Sequence, residues 1–144
     1  MKESTSDDVR FPKFWDNAMR RELLELYFAG MDSEMLGWHF EIKVFEVYRE
    51  LISLLLGVTH LKEDPSAPRF RQKWQHLEDS ELIRSYRRSV PVEQIAKQLG
   101  RDVPGVAMRL INSWWVTCPP EVAKTLGLNE DEVEITTENR KETS

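Results

Sequence analysis

The chain has 144 residues, enough for one domain or two very small ones, and its 40% hydrophobic and 31% charged content suits a soluble chain that buries a core. A net charge of -5 excludes a uniformly basic nucleic-acid coat but leaves local patches open, and a single cysteine, Cys118, excludes a disulfide framework or cysteine-rich zinc site within one chain. Three scattered histidines (His39, His60, His76) suggest no metal centre, and no apolar run approaches a membrane span, so no metal, cofactor or membrane partner is expected. The polar, acidic start over residues 1–8 is unlike a signal peptide, and an intracellular location is expected.

Sliding the sequence against itself by 59 residues aligns 14–55 with 73–114 without a gap, and nine of the 42 pairs are identical. Average composition would give roughly two or three. The identities include Trp15/Trp74, Tyr27/Tyr86, Val47/Val106 and Leu51/Leu110, while Leu24/Ile83, Met31/Val90, Leu36/Ile95 and Phe40/Leu99 keep apolar character. Two copies of one small helical unit follow from this.

Three helices are predicted in each copy. In the first, residues 16–29 carry Leu23, Leu26 and Tyr27 at helical spacing and stop at Gly30. Asp32 or Ser33 caps a second helix over 34–41, and 44–56 forms a third with Val44, Val47, Leu51, Leu54 and Leu55 on one face, closed by Gly57. Residues 62–68, Lys-Glu-Asp-Pro-Ser-Ala-Pro, read as a linker. In the second copy the helices are 78–88, 92–99 and 104–114, with a Ser89-Val90-Pro91 turn and a tight Gly100-Arg101-Asp102 turn in which Asp102 caps the third helix. The first copy has Glu41-Ile42-Lys43 at that second turn, and loss of the tight glycine turn is expected there. A short helix over 121–126 follows Pro119-Pro120, with Leu126 and Leu128 available to dock it. From Asn129 to Ser144 six acids face two bases, a composition expected to be disordered.

The second copy reads Trp74, Leu77-Glu78-Asp79-Ser80-Glu81-Leu82-Ile83, Ile95-Ala96-Lys97-Gln98-Leu99-Gly100-Arg101, then Gly105-Val106 and Arg109-Leu110. This resembles the Myb/SANT-like helix-turn-helix units, particularly the small bacterial and phage versions, over about 45 residues; the first copy shares only the hydrophobic skeleton. The resemblance implies an all-α fold of two tandem three-helix helix-turn-helix units. The first spans 10–57, a linker 58–69, the second 70–117, and a C-terminal extension with the acidic tail 118–144.

In a helix-turn-helix the third helix lies in the major groove. With Val106 and Leu110 inward, Arg101, Pro104, Met108 and Asn112 are expected to face out, with Arg109 on the flank. Arg101 and Arg109 then suit phosphate or guanine, Asn112 suits adenine, and Arg87, Arg88 and Lys97 suit the DNA backbone. Residues 69–113 carry nine Lys/Arg against five Asp/Glu, whereas 10–57 carry six against eight, so only the second unit suits phosphate electrostatically. Duplex DNA binding in transcriptional regulation is therefore the expected function.

The rival expectation is a non-enzymatic protein-interaction adaptor, because Pro104, Gly105 and Met108 leave the reading face poor in hydrogen-bonding groups and SANT-type relatives often bind proteins. The first unit, with Trp38, Phe45 and Tyr48, suits dimerisation, docking on the second unit, or a partner; Trp115, adjacent to Trp114, is a further candidate contact. Trp38 aligns with Lys97 and is either such a contact or packing between copies. No enzyme or small-molecule substrate is expected: there is no Gly-rich phosphate loop, no metal-ligand spacing, and no activating partner beside Cys118.

Overall fold

The computed structural model describes residues 15–129, and among them the regular structure is helical with no strand. In chain order the helices are α1 Asn17–Phe28, α2 Ser33–Phe40, α3 Val44–Leu56, α4 His76–Arg87, α5 Val92–Leu99, α6 Val103–Asn112 and α7 Pro120–Leu126. Every helix expected from the sequence is present, each end within two residues. The expectations for residues 10–14 and for the acidic tail beyond 129 lie outside the described residues.

Local chemistry explains where the helices begin. The Asp16, Asp32 and Asp102 carboxylates accept the otherwise unpaired backbone N–H of Met19, Met35 and Gly105 at 2.8, 2.9 and 3.0 Å. The turns repeat bond for bond at the 59-residue offset. Met31 N–H donates to Leu26 O at 3.0 Å and Val90 N–H to Ser85 O at 3.1 Å; Ile42 N–H donates to Gly37 O at 3.0 Å and Arg101 N–H to Ala96 O at 2.9 Å. These are the six-to-one closures that end a helix on a left-handed residue. At the second turn that residue is Gly100 (φ 69°) in one copy and Glu41 (φ 59°) in the other. The expected loss of the tight turn is thus corrected: Glu41 adopts the glycine conformation, at about 1–2 kcal/mol of backbone strain.

Another recurrence is chemical. Arg20 Nε donates to Glu50 at 2.7 Å, joining α1 to α3. The positions 59 residues on are Asp79 and Arg109, and Arg109 donates to Asp79 at 3.0 and 2.7 Å, joining α4 to α6. The same bridge between first and third helices is therefore made twice with its charges exchanged.

Within each copy the second helix packs on the first and third, and the copies meet through α3 against α6, while α7 turns back onto α1. Leu23, Leu24, Val47, Leu51 and Ile52 share one buried cluster with Leu82, Ile95, Val106, Ala107, Leu110 and Ile111. Tyr27 reaches across, donating from its hydroxyl to Ile111 O at 2.6 Å and stacking on the Trp114 ring, whose Nε1 donates to Tyr27 O at 2.8 Å. Trp15 and Tyr27 are buried, as expected of core aromatics, whereas their counterparts Trp74 and Tyr86 are half-buried.

The segment expected as a linker is fastened to the second unit. Asp64 N–H donates to Asp102 Oδ2 at 3.1 Å, Arg69 N–H donates to Gly100 O at 2.7 Å, and Pro68 lies against Gly100.

Two outcomes follow from one shared core. The full chain should melt in a single calorimetric transition, and a fragment of residues 66–128, deprived of α3, should give no cooperative melt by circular dichroism. In a double-mutant cycle, Arg20→Glu and Glu50→Arg together should recover most of the stability each loses alone, with a coupling of about 0.5–1 kcal/mol for this part-exposed pair.

Candidate functional site

The third helix of the second unit is enclosed. Along α6, Val106, Ala107, Leu110 and Ile111 are buried, Val103, Pro104, Gly105, Met108 and Arg109 are half-buried, and Asn112 alone is exposed. α3 packs against α6, and Tyr48 donates its hydroxyl proton to Asn112 Oδ1 at 2.6 Å. On the outer side, Glu63 and residues 69–72 border a recess of about 290 Å³ together with Pro104, Gly105 and Met108. An α-helix must present a bare face to enter a major groove, and α6 has its neighbours on both flanks.

Arg101 corrects the sequence reading most sharply. Expected to face out, it is 6% exposed. Its guanidinium lies 4.0 Å from the centre of the Trp74 ring, donates to both Glu78 oxygens at 2.7 and 2.9 Å, and donates to the carbonyls of Arg69, Gln72 and Lys73 at 2.8–3.1 Å. Five donated bonds match what a guanidinium offers. In the first copy the same place is held by buried Ile42, and Trp15 meets Phe40 edge-on at 5.3 Å. An apolar plug in one unit is an ion-paired plug in the other. Arg69 also donates to Glu78, at 2.9 and 3.1 Å, so this carboxylate serves two arginines and its pKa falls from 4.5 to about 2, chiefly through the Arg101 hydrogen bond.

Of the other cations expected on DNA, Arg109 is held by Asp79 and lies 5.5 Å from the Trp74 ring centre. Its flank position is used for the bridge between α4 and α6. Arg87, Arg88 and Lys97 are exposed and have no ion pair among the described residues. Arg71 and Arg84 pair with Glu63 and Glu81, so the unit's apparent surplus of charge reduces to these three and Lys73.

The expected partner residues divide. Trp38 is 85% exposed and Phe45 53% exposed, with Met35, a turn before Trp38 on α2, at 55%. Trp38 also borders a shallow depression of about 490 Å³ with Glu34, Gly37, Glu41, Ile42 and Val44. Packing between copies does not occupy it. Tyr48, by contrast, is engaged with Asn112, and half-buried Trp115 lines a cleft between the units. That cleft, about 890 Å³, is walled by the end of α3 (Leu55, Leu56), by α4 and the turn after it, and by residues 114–117. It has no counterpart in the sequence reading, which identified helices and their inward faces but not the gap left between two packed units.

No group of His, Cys, Asp and Glu placed to hold a metal occurs among the described residues, and none of the described helices is long and apolar enough to cross a membrane. Cys118 is half-buried, and burial pushes its thiol up from the ordinary value, away from nucleophilic use. Compared with protein-family models, curated proteins and solved structures, the chain gives no match.

Glu78 sets a pH dependence. Its folded pKa is depressed, so its contribution is complete above 4.5 and is lost as pH falls toward 2. Urea melts at stepped pH should show that loss for the parent chain and a flatter profile for Glu78→Gln. Arg101→Ala, which strands the carboxylate, should cost about 3–5 kcal/mol at neutral pH.

Proposed function

We propose that this protein is a non-enzymatic interaction adaptor that presents α2 and the start of α3 to another protein. The carrying observation is Trp38, the most exposed of the large apolar side chains that lie open, accompanied by Met35 and flanked by Glu34 and Glu41. Tryptophan is a favoured interface anchor because it buries a large area with few rotors to immobilise. An aromatic kept in water at this position has no role in the core, while the acids beside it suit a partner surface that combines apolar and basic groups. The resemblance to Myb/SANT-like units supports the same reading, since SANT-type units often contact proteins.

Recognition of DNA by α6 is not proposed, because Arg101 is internal, Arg109 is paired and the helix is flanked by α3 and the 58–72 segment. One observation favours a second reading, duplex DNA held through its phosphates: exposed Lys73, Arg87, Arg88 and Lys97 carry unpaired charge on one unit.

Trp38→Ala should leave the melting curve within about 0.5 kcal/mol of the parent chain. In matched affinity enrichments the parent chain should retain a defined protein that Trp38→Ala loses; identical recovery by both would overturn the proposal. Anisotropy with random duplex DNA at two salt concentrations separates the readings. Steeply salt-dependent binding, lost on combined Arg87→Ala, Arg88→Ala and Lys97→Ala but kept by Trp38→Ala, would favour DNA.

A further inference from the structure

The cleft between the units is the vacant counterpart of a place already filled elsewhere in the molecule. On α1, Leu24 and Phe28 are wholly buried, and α7 packs against that helix; a Cβ on Gly127, at the end of α7, would lie 3.5 Å from Arg21. Moving 59 residues along turns Arg21, Leu24, Tyr27 and Phe28 into Ser80, Ile83, Tyr86 and Arg87. All four line the cleft.

The α4 face that corresponds to the α7-covered face of α1 is therefore bare among the described residues. Ile83 is half-buried where Leu24 is fully buried, and an exposed arginine stands where Phe28 is enclosed. The opposite walls are apolar: Leu55, Leu56, Trp114 and Trp115. Trp114 holds φ at 54°, an unusual conformation for a bulky side chain, fixed by its stack on Tyr27 and its bond to Tyr27 O. The wall is thus rigid before anything binds.

We infer that this cleft receives a short amphipathic helix of a partner protein, one resembling α7 in size and apolar pattern but carrying an acidic residue to meet Arg87. Three observations define this occupant. Its shape is set by α7, which fills the equivalent position. Its apolar stripe is set by Ile83, Tyr86, Leu55 and Trp115. Its charge is set by the Phe28-to-Arg87 exchange, which replaces an enclosed ring by a guanidinium without an ion pair among the described residues. Docking of an amphipathic helix by its apolar face is a common recognition mode. The inference stands apart from the Trp38 surface, which lies on α2.

The probe is a fluorescein-labelled peptide of residues 119–129 of this chain, and a second peptide with Lys124→Glu, titrated into the full chain. Both should bind saturably by anisotropy, the acidic peptide more tightly. Amide shifts in an HSQC spectrum should centre on Ile83, Arg87 and Trp115. Ile83→Asp should weaken both peptides by about tenfold or more. Arg87→Gln, on the surface and harmless to folding, should remove the preference for the acidic peptide. Trp38→Ala should change neither. Absence of saturable binding, binding indifferent to both cleft substitutions, or shifts centred on Leu24 and Phe28 (displacement of α7 from α1) would overturn the inference.

Discussion

The fold depends on the meeting of α3 and α6. Each third helix has an apolar stripe wider than its own unit can cover, and Leu51, Ile52, Leu110 and Ile111 lose all contact with water in the packed chain. Units this small bury too little surface to be stable on apolar packing alone, and shared burial is the usual remedy. Tyr27, whose hydroxyl and ring both reach the end of α6, fixes the relative setting of the two units at one edge of that contact. Enclosure of α6 then follows, and with it the unsuitability of the one helix that a helix-turn-helix would offer to a groove. What is left for recognition is peripheral: an open aromatic on α2 and a cleft beside α4.

Much of this architecture was legible in the sequence because its signals are local. Aspartates three residues before a helical amide, glycine or proline at the turns, and apolar residues at 3.6-residue spacing place every helix. The 59-residue repeat shows that two units exist. The destination of Arg101 was not legible in that way. A turn arginine reads as exposed from spacing alone, yet Trp74, Glu78 and three carbonyls form a pocket for it, and those partners lie 23 to 32 residues away in sequence. The alignment did hold a clue, since Arg101 falls opposite Ile42, a residue with every reason to be inside. Trp38 was legible as an anomaly, an aromatic opposite a lysine, but only packing could show that no part of the second unit covers it. The cleft was invisible, because it is defined by how two finished units sit against each other.

The turn at Glu41 illustrates how a duplicated unit tolerates change. The six-to-one hydrogen bond and the left-handed residue are retained although the glycine is not, so the backbone frame outlasts the residue best suited to it. Side chains diverge within that frame: Ile42 against Arg101, Phe28 against Arg87, Trp38 against Lys97. Surfaces of different chemistry are thereby carried on one repeated scaffold.

A chain with two similar halves also faces a folding hazard, since a first helix from one half can try to pair with the third helix of the other. The exchanged ion pairs forbid it. If α1 took the place of α4, Arg20 would confront Arg109; if α4 took the place of α1, Asp79 would confront Glu50. Either swap brings like charges together where the native pairing brings opposites, a penalty on the wrong assembly as well as a reward for the right one. The reversed bridge thus works as a lock and key between helices that are otherwise near-copies, letting each half recognise its own.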